Sequence, residues 1–204
     1  MKIAIIGLGF VGLSLSSVLA SKGYDTIGIE IDKEKYNKIR NGISPFFEPE
    51  LEKTLQKGLR KKLKISNDFS LIKNCDFIFV TVGTPQNPNG SIDLTIIKNA
   101  ISIIGKNLQK SKKKPIILIK STIIPGTIKK NILPILEKKS NKKNGKDFGL
   151  ISNPEFLQES SAIKDTKFPH VVVLGGNQTE FMKKTKKLFL KLHPNVPIIN
   201  TNYQ

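Results

Sequence analysis

The sequence predicts an α/β protein with a Rossmann-like, doubly wound parallel sheet and helices on both faces. Short apolar runs alternate with helical patterns along the whole chain, as expected when helices join parallel strands. Several runs are continuously apolar, which is typical of strands that are buried on both faces. The first run also ends in a glycine-rich turn that opens a helix, the order found in dinucleotide-binding βαβ units.

The first βαβ unit is predicted within the first thirty residues. A strand over 2–6 leads into the glycine turn 7–12, and a second strand over 26–29 follows the helix. The apolar face of that helix carries Val11, Leu15, Val18 and Leu19.

The glycines of this turn each meet a different requirement of a dinucleotide site. Gly7 permits a sharp turn off the strand, Gly9 lets the backbone approach a diphosphate, and Gly12 permits close packing of helix and sheet. The helix N-terminus offers N–H groups and a positive dipole end to phosphates. Glu30 ends the second strand, where an acid accepts hydrogen bonds from an adenosine ribose.

The same alternation continues to the end of the chain. Gly42 ends one predicted helix, Asn67 or Asp68 caps another, Asp93 is a predicted N-cap, and Pro134 is expected to kink its helix. The further strands are predicted over 63–66, 77–82, 115–119, 149–152, 170–174 and 196–200. The further helices are predicted over 32–40, from the turn 43–51 to about 61, and over 94–108, 127–138 and 179–192.

Ligands of doubly wound sheets bind at the carboxyl ends of the strands, where the strand order switches. Polar or glycine-rich tips follow most of the predicted strands, and we expect them to rim one crevice. These tips are 7–12, Glu30, 81–85, 120–122 and 153–159.

Composition excludes several classes of protein. The 204 residues suit one substantial domain, and no apolar run approaches the roughly 20 residues of a membrane span. The chain opens directly into a strand, so we expect neither a signal peptide nor a membrane partner. Cys75 is the only cysteine, which excludes an intrachain disulfide and a cysteine-based metal cluster, and we predict no metal site. A reducing, cytoplasmic setting fits.

The net charge of +18 suggests a polyanion partner as one alternative, which would bind nucleic acid in a salt-dependent manner. However, Arg40 and Arg60 are the only arginines, and the lysines are spread over helix faces and loops without interleaved aromatic residues. Phosphate recognition usually recruits the guanidinium group. We therefore interpret the lysines mainly as a solvated surface and expect no nucleic-acid partner.

The strand tips together resemble the UDP-glucose/GDP-mannose dehydrogenase family, specifically its N-terminal NAD-binding domain. The resemblance covers essentially all 204 residues. The matching motifs are GLGFVG (7–12), EPEL (48–51), VGTP (82–85), KST (120–122), PGT (125–127) and NPEFLQESSAI (153–163). The combination of KST with NPEFLQE is far more specific than the glycine turn.

The resemblance implies oxidation of the C6 alcohol of a nucleotide sugar to a carboxylate with two NAD⁺, with UDP-glucose ranked first and GDP-mannose second. It implies that Glu30, where the family more often has Asp, holds the ribose and disfavours NADP. Further implied cofactor contacts are Gly7, Gly9, Phe10, Val11, Gly12, Lys35, Gly83, Thr84 and Thr122.

The resemblance also implies that Thr122 and Glu155 hold the water or proton-transfer network beside the reacting carbon. Simpler interpretations stay open: Thr122 caps a turn, Glu155 only counters a helix N-terminus, and Glu159 is structural. The implied substrate contacts are Glu155, Phe156, Leu157 and Glu159. Lys120, expected to end a strand with its ammonium in solvent, is assigned no role, and neither are His170 and His193.

One departure from the family concerns its second oxidation step, which passes through a thiohemiacetal on a cysteine in a later domain. Cys75 precedes a strand at the opposite end from the crevice, so we interpret it as a small packing residue. The resemblance therefore implies that 1–204 is a single NAD-binding domain, lacking the family's central dimer helix and sugar-nucleotide domain. We expect the chain alone to be inactive; the alternative is a stand-alone nucleotide-binding or regulatory module without its own chemistry.

Overall fold

Eight strands form one sheet in the computed structural model, which describes residues 1–177 and 179–203. The predicted domain end at Gln204 lies outside the described residues. The strands lie in the order β3-β2-β1-β4-β5-β6-β7-β8, so the order switches beside β1, where doubly wound sheets bind ligands. Their bounds are β1 Lys2–Ile6, β2 Asp25–Ile29, β3 Leu63–Ser66, β4 Phe77–Val80, β5 Ile116–Ile119, β6 Gly149–Ser152, β7 Val172–Gly175 and β8 Ile198–Thr201.

The sheet confirms the predicted fold class with one departure at its edge. Strands β1 to β6 are all parallel, and β7 is parallel to β8, but β7 runs antiparallel to β6 with Ser152 opposite Gly175. For β7 to be parallel to β6, the connection would have to cross over to the end of the sheet where β6 begins. The connection 153–171 contains only a six-residue helix, so it does not make that return.

Helices cover both faces of the sheet, as predicted. They are α1 Phe10–Ser21, α2 Lys33–Arg40, α3 Leu51–Lys61, α4 Thr95–Gln109, α5 Leu133–Ser140, α6 Ala162–Lys167 and α7 Glu180–Leu192. Buried side chains of α1, α3, α6 and α7 form one core, whereas those of α4, α5 and a 3₁₀ helix, Phe69–Asn74, form the other. Strand β1 supplies both cores, with Ile3 and Ile5 in the first and Ala4 and Ile6 in the second.

Helix α1 is buried on every side, although the sequence predicted a single apolar face. Its residues 12–20 are all buried, including three serines. Small residues permit this packing: a Cβ at Gly58 of α3 would lie only 3.3 Å from the Ser17 carbonyl oxygen and the Ala20 Cβ. The helix that follows the glycine turn is therefore held between the sheet and other helices.

Several predicted boundaries differ from the structure. Helix α6 was missed, and the strand predicted over 77–82 ends at Val80. The predicted cap Asp93 accepts a hydrogen bond from Thr95 N–H at 2.7 Å, but it lies two residues before α4 begins, and Leu94 takes the N-cap position. A wide π-helical turn, Ile128–Ile132, precedes α5, and Pro134 lies in the first turn of α5. Proline lacks an N–H and crowds the carbonyl four residues earlier, which accounts for the disturbed turn.

Cys75 is fully buried in the core next to β4, as expected of a packing residue. Burial raises the pKa of its thiol to about 11, which disfavours the nucleophilic thiolate at neutral pH. Among the described helices, none is long and apolar enough to cross a membrane.

The packing of α1 on β1 gives a first prediction. A Cβ at Gly12 would overlap the Gly7 carbonyl oxygen and the Thr81 hydroxyl. We expect Gly12→Ala to lower the free energy of unfolding by about 1–3 kcal/mol, because the methyl group forces α1 away from the sheet. Urea unfolding measures this change.

The matched control is Gly9→Ala, because no heavy atom of the described residues, apart from Gly9 and its two chain neighbours, lies within 4 Å of the position of a Cβ at Gly9. We expect this variant to lose less than about 1 kcal/mol, the typical effect of an alanine at a helix N-cap. Equal stabilities of the two variants would contradict the packing argument.

Candidate functional site

The glycine turn presents an open helix N-terminus at the switch in strand order. Gly7 has φ +89°, a left-handed conformation that other residues rarely adopt. Gly9 is the N-cap of α1, and no side chain caps the helix or places an acid in its first turn. The amides of that turn, among them Phe10 and Val11, are therefore available to an anionic group. The space beside Gly9 allows a ligand to reach the backbone.

Thr81 ties the glycine turn to the end of β4. Its hydroxyl lies 3.0 Å from the Ile6 carbonyl oxygen and 2.8 Å from that of Gly7. The same hydroxyl borders the position that a Cβ at Gly12 would occupy. The turn, α1 and β4 are thus fixed against one another at the predicted ligand position.

Glu30 lies beside the glycine turn, with its carboxylate oriented by three backbone amides. One oxygen accepts a hydrogen bond from Leu8 N–H at 2.9 Å, and the other accepts from Ile31 and Asp32 N–H at 2.8 and 3.0 Å. A carboxylate has about four acceptor positions, so one remains for a ribose hydroxyl. Lys35 is exposed in the first turn of α2, where its N–H donates to the Asp32 carboxylate at 2.9 Å.

The tips of β4 and β5 are joined by two short hydrogen bonds. The Thr84 hydroxyl donates to the Thr122 carbonyl oxygen at 2.6 Å, and the Ser121 hydroxyl donates to the Val82 carbonyl oxygen at 2.6 Å. Gly83 has open space at the position of a Cβ. The structure therefore brings together Gly83, Thr84 and Thr122, and the Thr122 side chain is exposed to solvent.

The segment 153–161 continues the same edge beyond β6. Glu155 is partly buried, and its carboxylate accepts a hydrogen bond from Leu157 N–H at 2.7 Å. Phe156 and Glu159 are exposed. Thr122 and Glu155 each lie three residues beyond the ends of neighbouring strands, β5 and β6, so they share the edge of the sheet that the sequence predicted.

Lys120 corrects one prediction, because its ammonium does not extend freely into solvent. Its Nζ lies 3.5 Å from the Pro154 carbonyl oxygen and faces a cavity of about 60 Å³. Burial lowers the pKa of Lys120 to about 8, and the charge of Glu155 opposes that effect. A signal for this was available: continuing the alternation of β5 puts Lys120 on the same face as the buried Ile116 and Leu118.

Both histidines, to which the sequence assigned no role, line this cavity together with Asn153 and Thr166. Burial, followed by the positive charge of Lys22, lowers the pKa of His193 to about 4, so this imidazole is neutral at pH 7. The Oδ1 atom of Asn153 and the Thr166 hydroxyl are buried without a hydrogen-bond partner among the described residues. Such groups usually bind water, and the cavity volume suffices for a few water molecules.

The lowered pKa of Lys120 predicts a particular pH dependence of stability. Between about pH 8 and 10.5 the folded protein has lost the Lys120 proton while the unfolded chain retains it, so stability rises with pH over this window. We expect Lys120→Met to lack this rise. Urea unfolding at pH 7.5 and 10 of wild type, Lys120→Met and the exposed-lysine control Lys112→Met measures it.

In that experiment, the stability of wild type relative to Lys120→Met should increase at the higher pH, while its stability relative to Lys112→Met stays constant. A difference between wild type and Lys120→Met that is the same at both pH values would show that the ammonium is not desolvated in the folded protein.

Comparison with known proteins identifies relatives of the whole chain. GDP-mannose 6-dehydrogenase of Pseudomonas syringae pv. tomato is 41% identical over 203 residues, which cover 98% of this chain and 45% of that protein. UDP-glucose 6-dehydrogenase TuaD of Bacillus subtilis is 37% identical over 205 residues, covering 100% of this chain and 43% of that protein. The chain thus spans less than half the length of these curated relatives.

Among solved structures, a ternary complex of GDP-mannose dehydrogenase from Pseudomonas aeruginosa matches with a TM-score of 0.93 and 36% identity, covering 100% of this chain and 47% of that one. The family profile described as "UDP-glucose/GDP-mannose dehydrogenase family, NAD binding domain" matches residues 1–193. The resemblance inferred from the strand tips is therefore confirmed. Because the matching profile is that of an NAD-binding domain, the cofactor is NAD. The chain belongs to the UDP-glucose/GDP-mannose dehydrogenase family and contains its NAD-binding domain.

Proposed function

We propose that this chain is the NAD-binding half of a nucleotide-sugar 6-dehydrogenase, which oxidises the C6 alcohol of the sugar to a uronic acid. The balanced reaction converts R–CH₂OH, water and two NAD⁺ into R–COO⁻, two NADH and three protons. The observation that carries the proposal is the continuous edge formed by the glycine turn, Glu30, the Thr84–Thr122 contact and the segment 153–161.

The cofactor contacts follow from the geometry of this edge. When bound, NAD accepts hydride from C6 of the sugar. Gly7, Gly9 and Gly12, with the Phe10 and Val11 amides, would hold its diphosphate, because the helix N-terminus is uncapped and open. Further contacts are proposed for Lys35, Gly83, Thr84 and Thr122. Glu30 retains one acceptor position for a ribose hydroxyl, and its negative charge would repel the 2′-phosphate of NADP.

We assign the proton-handling role to Thr122 and Glu155. A hydroxyl that both donates and accepts, close to a carboxylate, can orient a water molecule and accept a proton at the reacting carbon. The hydrogen bond from Leu157 N–H orients one Glu155 oxygen and leaves acceptor capacity for water. Glu155, Phe156, Leu157 and Glu159 are the proposed substrate contacts, and the exposure of Phe156 and Glu159 leaves them accessible.

The proposed substrate is a nucleotide hexose, either GDP-mannose or UDP-glucose. The sequence motifs placed UDP-glucose first, but the 41%-identical relative is a GDP-mannose 6-dehydrogenase, which favours testing GDP-mannose first. The whole enzyme is proposed to be a homodimer in a cytoplasmic setting. The chain alone is proposed to be inactive, because its single cysteine is buried at the opposite edge of the sheet.

Cofactor binding tests the first part of this proposal. Calorimetric titration should detect binding of NAD⁺ and weaker binding of NADP⁺. Gly9→Ala should weaken NAD⁺ binding by about tenfold, because its methyl group occupies the approach to the diphosphate while the fold stays intact; tenfold corresponds to about 1.4 kcal/mol. Binding of neither dinucleotide by the chain would contradict the proposal.

Turnover tests the second part. We expect the chain to produce neither NADH, measured by absorbance, nor uronic acid, measured by chromatography, from GDP-mannose or UDP-glucose with NAD⁺. Acid formation by this chain alone would contradict the assignment as half of an active site. Dinucleotide binding that no nucleotide sugar influences would instead favour the stand-alone nucleotide-binding module.

A further inference from the structure

The EPEL motif places a buried carboxylate against the segment 153–161, although the sequence analysis gave the motif no role. Glu48 lies in the loop before α3 and is only 6% exposed. One of its oxygens accepts a hydrogen bond from Ser160 N–H at 3.0 Å, and the other accepts from Ala162 N–H at 2.8 Å. The two partners are 112 and 114 residues away in the sequence.

These two amides need an acceptor from elsewhere in the chain. Ala162 begins α6, and the N-cap residue Ser161 provides no side-chain cap to the helix, so its first N–H groups lack local partners. Ser160 has φ +68°, a left-handed backbone conformation that is unfavourable for residues with a side chain. Strained backbone of this kind persists when surrounding contacts hold it, and Glu48 supplies such a contact.

The proposed substrate contacts lie in the same stretch of backbone. Glu159 immediately precedes Ser160, and Glu155 and Phe156 lie within five residues of it. Asp165 reaches back from α6, accepting hydrogen bonds from Gln158 N–H at 3.1 Å and from the Ser161 hydroxyl at 2.6 Å. Fixing the start of α6 therefore also fixes the end of the segment that faces the crevice.

We propose that Glu48 is a positioning residue: its carboxylate locks the segment 153–161 in the conformation that presents the substrate contacts. This inference rests on the proposed function for the role of that segment. Removing one acceptor would leave a buried N–H unpaired and let the segment move, whereas the glycine turn and Glu30, on the other side of the edge, would keep their contacts.

The variants are chosen to separate positioning from simple stability. Glu48→Gln keeps the size of the side chain but replaces one acceptor oxygen with an NH₂ group, which cannot accept from an amide. The matched control is Glu50→Gln in the same turn, since Glu50 is exposed and forms a surface ion pair with Lys167 of α6 at 2.8 Å. Glu48→Asp tests whether a shorter carboxylate partly restores the two hydrogen bonds.

The first readout is amide NMR of the chain without ligand. In Glu48→Gln we expect the Leu157 and Glu159 amide signals to shift. Hydrogen exchange should accelerate by about tenfold or more at whichever of the Ser160 and Ala162 amides loses its acceptor, because a hydrogen bond to a charged group is lost. The Ile5 amide in the core reports global stability and should change less. Leu157 and Glu159 signals that stay in place would overturn the proposal even if stability falls.

The second readout is binding. We expect Glu48→Gln to weaken GDP-mannose or UDP-glucose binding to the NAD⁺-saturated chain by about fivefold or more, with NAD⁺ affinity unchanged, and Glu50→Gln to change neither. A parallel loss of NAD⁺ and sugar affinity would indicate a merely structural role and contradict positioning. If wild type binds no nucleotide sugar, the proposed sugar contacts of this chain on its own fail, and the amide signals alone decide whether Glu48 positions the segment.

Discussion

The junction of β1, α1 and β4 has no space for a side chain, and the rest of the molecule is arranged around that constraint. With hydrogen at Gly12, the helix reaches the Gly7 carbonyl oxygen and the Thr81 hydroxyl. The same approach puts the open first turn of α1 at the switch in strand order. Burial of α1 on all sides then keeps this helix end in place, so the position proposed for the diphosphate is set by packing rather than by charged side chains.

Local patterns predicted most of the sheet and put the candidate site residues at the carboxyl ends of its strands. Apolar runs identified most of the strands β1 to β6 because strands buried on both faces leave a continuous signal, whereas β3 alternates and exposes Lys64. The glycine turn was recognisable because its geometry demands glycine, as the positive φ of Gly7 illustrates. Glu30 was recognisable since its position follows from the length of the βαβ unit. These features depend on neighbours in sequence.

The features that were missed depend on distant contacts. Helix α6 has six residues, and its first amide, that of Ala162, is paired with the distant Glu48, so no local capping pattern indicated it. The reversed strand β7 follows from that short connection. Lys120 was placed in solvent because lysines usually are exposed, whereas the walls of its cavity come from α1, α7 and the segment after β6. Residue type alone could not indicate that enclosure.

The long-range pairing of Glu48 has a consequence for biosynthesis. A ribosome adds about 5–20 residues each second, so Glu48 emerges several seconds before Ser160 and Ala162. During that interval the first βαβ unit, β3 and β4 are available for assembly, while Glu48 still lacks its partners Ser160 and Ala162. The segment 153–161 therefore acquires its contact with Glu48 only after β1 to β4 have been synthesised.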